Sequence, residues 1–303
     1  MKPDFHGVYP AMTTQFRPDH SLDLDATADH IERMIGSGVH GLVMLGSLGE
    51  NVALNREEKL QVLRCALEVA KGRVPVISGV AEYGWHQAID YVAAAERAGV
   101  HGFMLMPAMV YHADREEAHA HFMNVARSTD LPFIAYNNPI GYHVDLTPED
   151  FKVLSDQSNI VAIKESSGDT RRFTQLANAV GDRYVLMAGV DDLALECTIL
   201  GAKGWIAGMA LAYPDENAAL WDLMMGGNWE EARDLYRWFS PLLRLDIGRK
   251  FVQQIKLAIQ LRGMGSETVR PPRLPLSKEE RAHVHMVLEE AEARRAMVGA
   301  LSR

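Results

Sequence analysis

Regular punctuation constrains this chain more than any other feature. Short apolar or β-branched runs occur at 8–13, 41–45, 74–78, 102–106, 132–136, 160–164, 184–188 and 204–207. Amphipathic helical patterns follow them at 25–37, 56–70, 85–98, 115–128, 147–155, 171–180, 193–200 and 214–225. Successive runs start roughly 20 to 34 residues apart, the size of one strand-helix unit. Three joints repeat the same chemistry: Ser37-Gly-Val-His-Gly41, Ala98-Gly-Val-His-Gly102 and Leu200-Gly-Ala-Lys-Gly204. In each, a glycine able to adopt a left-handed conformation stops a helix just before the next strand. Eight such units predict an α/β fold, a closed (β/α)8 TIM barrel, over an open doubly wound sheet. The barrel is expected over residues 1–225. Extra C-terminal helices, patterned at 229–243, 250–262 and from Ser277, make residues 226–303 a helical extension packed on it.

A 303-residue chain with 48% hydrophobic and 23% charged residues can bury a large core. Its 31 Lys and Arg against 40 Asp and Glu leave a net charge of −9, which argues against a broad nucleic-acid-binding face. No apolar run approaches the ~18 residues of a membrane span. The N-terminal stretch lacks an apolar core, so no signal peptide is expected. Cys65 and Cys197 sit in apolar helical patterns and read as reduced core residues of a cytoplasmic protein. No zinc-ligand spacing is present. Gly36-Ser-Gly-Val-His-Gly41 spells a dinucleotide fingerprint, but with a helix before it and a strand after it, the reverse of the required order.

Four elements at the ends of predicted strands can carry chemistry. Lys164 closes the apolar run Ile160-Val-Ala-Ile-Lys164. Desolvation disfavours its ammonium, and a neutral amine can attack a carbonyl to form a Schiff base; the bland alternative is a lysine reaching out to solvent. Tyr136, ending the preceding run before Asn137-Asn-Pro139, can move protons beside Lys164, or can be a structural tyrosine before a turn. Gly46-Ser-Leu-Gly-Glu50 can cradle a carboxylate on backbone N–H groups with Ser47 adding a hydroxyl, or can simply cap a helix; Glu50 can brace it. In Gly189-Val-Asp-Asp192, Asp191 is the better ligand candidate and Asp192 the better helix cap. All four lie where barrel active sites are built.

Taken together, Gly46-Ser-Leu-Gly-Glu50, Tyr136-Asn-Asn-Pro139 and Ile163-Lys-Glu-Ser-Ser-Gly-Asp169 resemble the dihydrodipicolinate synthase / N-acetylneuraminate lyase family. The resemblance runs from Phe5 to the tail motif Val269-Arg-Pro-Pro-Arg-Leu-Pro-Leu276. It implies a class I Schiff-base lyase that needs no metal or organic cofactor, a homotetramer, and a small 2-oxo acid substrate. Carried over, Lys164 forms the imine and Tyr136 shuttles protons. Ser47 and the Leu48 amide hold the carboxylate, and Ser166, Gly189, Asp191, Asp192 and Gly208 line the pocket.

The departures bear on substrate. Leu48 stands where the usual loop has a second hydroxyl, so the hydroxyl relay to Tyr136 is expected to be broken. Met109 lies near the place of a tyrosine that synthases donate to a neighbouring subunit, with Tyr111 the only substitute. Gly141 stands where synthases carry an arginine for the second substrate's carboxylate, and Gly208 offers no hydroxyl for sialic-acid cleavage. The pattern Tyr136-Asn-Asn-Pro-x-x-Tyr-x-Val-Asp-Leu-Thr-Pro148, with Gly189-Val-Asp-Asp192 and Gly204-Trp-Ile206, is similar to the 1-pyrroline-4-hydroxy-2-carboxylate deaminases, whose substrate is a cyclic imine. Aldol cleavage or dehydration of a related 2-oxo acid, synthase activity itself, and a non-catalytic 2-oxo acid-binding role are the alternatives. The histidines His112, His119 and His121 read as a solvated helix face. Trp221, Trp229 and Trp238 read as packing for the tail helices or a subunit contact.

Overall fold

The structure, a computed structural model, describes residues 1–108 and 111–298; the expectation for Met109 falls outside them. Eight strands form one parallel sheet: β1 (Gly7–Pro10), β2 (Leu42–Met44), β3 (Val76–Val80), β4 (Gly102–Leu105), β5 (Phe133–Asn137), β6 (Ile160–Glu165), β7 (Val185–Ala188) and β8 (Gly204–Ala207). Their order is β1-β8-β7-β6-β5-β4-β3-β2. A single parallel bridge between Ala11 and Val43 spans the remaining gap between β1 and β2. This is a (β/α)8 barrel with extra C-terminal helices. The strands are buried on both faces, so they read as continuous apolar runs rather than alternating ones.

Local signals explain the helices between them. Asn55 and Glu58 form a reciprocal capping box at Arg56–Ala70, and Asp114 and Glu117 do the same at Arg115–Ala126. Where strand and pattern disagree, polar contacts decide. The strand expected over 8–13 ends at Pro10, with the Ala11–Val43 bridge just beyond it. Beyond it the chain turns, and the Thr14 hydroxyl donates to the Gly49 carbonyl at 2.7 Å. Those residues support the mouth of the barrel instead of lengthening the sheet.

The C-terminal helices Trp229–Leu243, Phe251–Leu261 and Lys278–Val298 pack on the barrel and one another. Trp238 is buried and its indole N–H donates to the Ala291 carbonyl, while Trp221 is buried and Trp229 partly exposed. The firmest attachment is polar. Fully buried Lys256 donates to the Thr14 carbonyl at 2.8 Å, the Thr268 carbonyl at 2.5 Å and the Glu50 carboxylate at 3.0 Å. Each of its three N–H groups therefore has an acceptor, the condition for burying an ammonium.

The histidine expectation needs correction. His121 is buried with its Nε2 3.1 Å from the Met106 carbonyl, and His119 lies 2.8 Å from Asp150. Both tie their helix to neighbouring elements, a role that helical spacing cannot distinguish from solvation. Cys65 and Cys197 are both free thiols.

Candidate active site

Strand register assembles the centre. Tyr136 on β5 lies opposite Lys164 on β6, which in turn lies opposite Met187 on β7. Lys164 and Tyr136 are both buried at the C-terminal mouth, with the lysine Nζ 3.9 Å from the tyrosine ring centroid. Burial pushes the Lys164 pKa down, opposed by the charges of Tyr142, Asp246 and Asp191. The neutral amine that attacks a carbonyl is thereby favoured. Burial also raises the Tyr136 phenol, which keeps it protonated, while a 3.1 Å bond donated by the Asn138 amide acts against that shift.

The rest of the loop after β5 is organised by Asn137. Its amide donates to Asp145 and Glu165, and its carbonyl oxygen accepts from the Leu146 N–H. Glu165, next to Lys164, is turned away from it and accepts from Asn137 and the Ser167 N–H. Consecutive strand positions point to opposite sides, so the lysine enters the mouth and the glutamate anchors the loop.

The loop after β2 carries Ser47 and Leu48. Among the described residues, the N–H groups of Ser47, Leu48 and Gly49 make no hydrogen bond within the chain, which leaves a set of donors suited to a carboxylate. Leu48 buries its side chain, and Glu50 braces the loop from below through Lys256 and the Arg270 N–H. The Ser47 hydroxyl is hydrogen-bonded to that of Tyr142. Tyr142 also stands edge to face with Tyr136, and periodicity had no means of singling it out.

The far wall comes from β7, β8 and the C-terminal extension. Asp191 is fully buried, and its carboxylate accepts from the Trp205 indole at 2.9 Å, the Gly208 N–H at 3.1 Å and the Met209 N–H at 2.6 Å. It holds the chain after β8 in place and bears on Lys164 through charge. Burial raises its pKa to about 6 despite those donors. Asp192 does not cap a helix: no side-chain cap exists on the short turn Asp191–Leu193 or on Ala194–Ile199. Its carboxylate faces Arg244 at 3.7 Å instead, because the extension brings a cation to it.

Gly189 and Gly208 are required by close approach. A Cβ on Gly189 would collide with the buried Ser166 hydroxyl, which has no hydrogen-bond partner among the described residues. A Cβ on Gly208 would come within 2.6 Å of the Asp246 carboxylate. Asp246 was not singled out by the sequence. It lies in the turn Arg244–Asp246 of the extension, more than 30 residues past β8, and no strand-end motif marks it. Burial raises its pKa well above the usual carboxylate range, Asp191 and Asp192 add to the shift, and Lys164 opposes it.

A buried amine, a phenol, free loop amides and an acidic wall can together form an imine with a 2-oxo acid and move protons on it. The comparisons agree with that chemistry. Residues 4–291 match the model of the dihydrodipicolinate synthetase family. The chain belongs to this family. It is an enzyme of the lysine Schiff-base lyase class. It is 32% identical to the 4-hydroxy-tetrahydrodipicolinate synthase of Archaeoglobus fulgidus, over 95% of this chain and 99% of that one. The solved 4-hydroxy-tetrahydrodipicolinate synthase of Methylacidiphilum fumariolicum SolV superposes with a TM-score of 0.94 at 28% identity, covering 98% of this chain and 99% of that one. A prophage protein of the family from E. coli K12, solved in complex with pyruvate, has a TM-score of 0.90 at 29% identity, covering 95% and 99%.

No helix among the described residues is long and apolar enough to cross a membrane. Among the same residues, no group of three or more His, Cys, Asp or Glu side chains could hold a metal ion.

Proposed function

We propose that this protein is a Schiff-base deaminase of small cyclic imines, with 1-pyrroline-4-hydroxy-2-carboxylate as substrate and 2-oxoglutarate semialdehyde and ammonia as products. In this reading Ser47 and the Leu48 N–H hold the substrate carboxylate. Lys164 attacks C2, and the ring nitrogen leaves as a primary amine. Tyr136 exchanges protons with C3 and the departing 4-hydroxyl. Water leaves, the double bond moves to C4–C5, and hydrolysis of the resulting imine releases ammonia. Hydrolysis of the lysine imine returns Lys164, so the cycle consumes one water overall.

The observation that carries this reading is the charge of the far wall. The ionisable groups acting on Lys164 are Tyr142, Asp246 and Asp191, with no cation among them, and position 141 is glycine. The cation that the extension brings to this wall, Arg244, faces Asp192, so a second substrate carboxylate would be desolvated there beside carboxylates, at a cost of several kcal/mol. The amine freed by ring opening is cationic and suits the same wall. A synthase reading is favoured by the names of the relatives, so the test sets the two against each other. Purified protein is given 1-pyrroline-4-hydroxy-2-carboxylate, pyruvate with aspartate semialdehyde, and a 4-hydroxy-2-oxo acid, with ammonia and pyruvate both measured. Ammonia release from the cyclic imine supports the proposal. Faster condensation of pyruvate with the semialdehyde, or faster pyruvate release from the hydroxy acid, rejects it. We also expect a homotetramer, to be checked by sedimentation.

A further inference from the structure

The far wall of the mouth holds three carboxylates, and two of them are already spent. Asp191 accepts from the Trp205 indole and from the Gly208 and Met209 N–H groups. Asp192 faces Arg244 at 3.7 Å. Among the described residues, no group donates a hydrogen bond to Asp246. The turn that carries it is nevertheless firmly seated. Leu242, Leu243 and Leu245 are buried, and the Ile247 N–H closes the turn on the Arg244 carbonyl at 3.1 Å. Its carboxylate is held over the end of β8, in the room left by the missing side chain of Gly208, and the residue keeps part of its surface open. The ionisable groups that act on it are Asp191, Lys164 and Asp192. Apart from the reacting lysine, these are like charges, and Arg244 of its own turn is committed to Asp192. A second polar group beside Lys164 also lacks a partner. The Ser166 hydroxyl, 3% exposed, lies where a Cβ on Gly189 would meet both it and Lys164 Cγ. A desolvated carboxylate among like charges is costly until a cation is brought to it.

We propose that Asp246 is the specificity residue of this site: its carboxylate receives the ammonium at C5 of the opened substrate, and so selects five-carbon 2-oxo acids whose far end is cationic. A cyclic imine creates that cation inside the mouth. Lys164 adds to C2, and the bond from C2 to the ring nitrogen breaks. The two amine hydrogens of Lys164 pass to that nitrogen, which takes a third proton from water and becomes an ammonium. A charge-assisted hydrogen bond to Asp246 then holds the chain open against reclosure of the ring. An anionic far end meets the same carboxylate with the wrong sign, so one residue both attracts and excludes. The assignment rests on the imine chemistry proposed above and not on the release of ammonia.

Three probes of equal chain length vary only the charge at C5: 1-pyrroline-2-carboxylate, which opens to an amine and carries no hydroxyl to eliminate, neutral 2-oxopentanoate, and anionic 2-oxoglutarate. Each is equilibrated with the protein, a pulse of borohydride reduces the imine standing on Lys164, and intact mass reads occupancy against concentration. Any change in the Lys164 pKa acts on all three adducts, and the cost of opening the ring is the same in every variant, so the ratios between probes isolate the contact at C5. We expect Asp246→Asn to weaken the pyrroline relative to 2-oxopentanoate at least about tenfold, the usual weight of a hydrogen bond between charged groups. The same change should improve 2-oxoglutarate relative to 2-oxopentanoate, and Asp246→Glu should restore part of both preferences. Asp246→Ser gives the same reading if Asp246→Asn fails to fold. Ratios that stay at their wild-type values overturn the assignment, as does a loss of the pyrroline adduct with no gain for 2-oxoglutarate. Adducts with the expected ratios but no ammonia from the hydroxylated imine would reject only the deaminase reading. A wild-type protein that forms no adduct with any probe rejects this assignment and the imine chemistry together.

Discussion

The two sides of the barrel mouth are built from different chemistry. The side formed by β2 and β5 presents hydroxyls: Ser47 hydrogen-bonded to Tyr142, whose ring stands edge to face with that of Tyr136. The side formed by β7, β8 and the C-terminal turn presents carboxylates: Asp191, committed to three donors, and Asp246, packed against Gly208. Lys164 stands between them. Hydroxyls with high pKa values pass protons without carrying charge, whereas carboxylates set the potential at the amine and the sign of what can dock opposite it. We expect the first side to bear on how fast protons move and the second on which molecules and which pH the site accepts.

The sharpest way to break this division is to remove the residue both sides share. Lys164→Ala should abolish the adduct that borohydride traps with pyruvate, read as a mass increase on the intact chain; an adduct of equal yield at Lys203 or Lys250 would sink the whole arrangement. Next in size is the brace under the hydroxyl side. Lys256→Met leaves buried Glu50 with the more distant Arg273, at 3.8 Å, in place of its close cation and should lower unfolding stability by about 3 kcal/mol, measured by denaturant titration, with Glu50→Gln in the same chain recovering part of the loss. If Lys256→Met is neutral, the loop over residues 46–50 needs no such support.

Tyr136→Phe tests the hydroxyl side directly. Turnover should fall by roughly 10²-fold with the melting temperature unchanged; a change in KM alone would make Tyr136 a binding residue. The smallest effect belongs to the acidic side. The charge of Asp246 holds the Lys164 pKa up against burial. Removing it in Asp246→Asn should let that pKa fall, so the neutral amine persists in more acidic solution. The acid limb of the imine-trapping rate should move to lower pH by about one unit. A limb that stays in place, or moves upward, would show that Asp246 does not act on the lysine.

The same contrast explains what the sequence made legible. Lys164, Tyr136 and the loop at Ser47 sit at strand ends, and strand ends are readable because buried parallel strands leave unbroken apolar runs. Gly189 and Gly208 were legible as positions, but their reason was not, since each is dictated by a side chain distant in sequence. Tyr142 belongs to a four-residue turn, too short for any period to appear. Asp246 arrives from the extension and becomes part of the mouth only once the tail helices are docked. Asp192 looked like a helix cap because its cation, Arg244, comes from 52 residues further on. Local signals found the residues that strands deliver, and missed those delivered by tertiary packing.

The bond between Lys256 and Glu50 also sets an order on how the enzyme is made. The two residues are 206 positions apart, and domains emerge from the ribosome N-terminus first. A nascent chain that has already extruded all eight strands still lacks Lys256, together with Arg270, whose backbone N–H binds the same carboxylate. Until the tail arrives, the loop that presents Ser47 and Leu48 has an unpaired glutamate beneath it, and Asp246 is absent from the opposite wall. Synthesis of the last fifth of the chain is thus what completes both sides of the mouth, and a truncated product carries Lys164 and Tyr136 without the setting in which they can work.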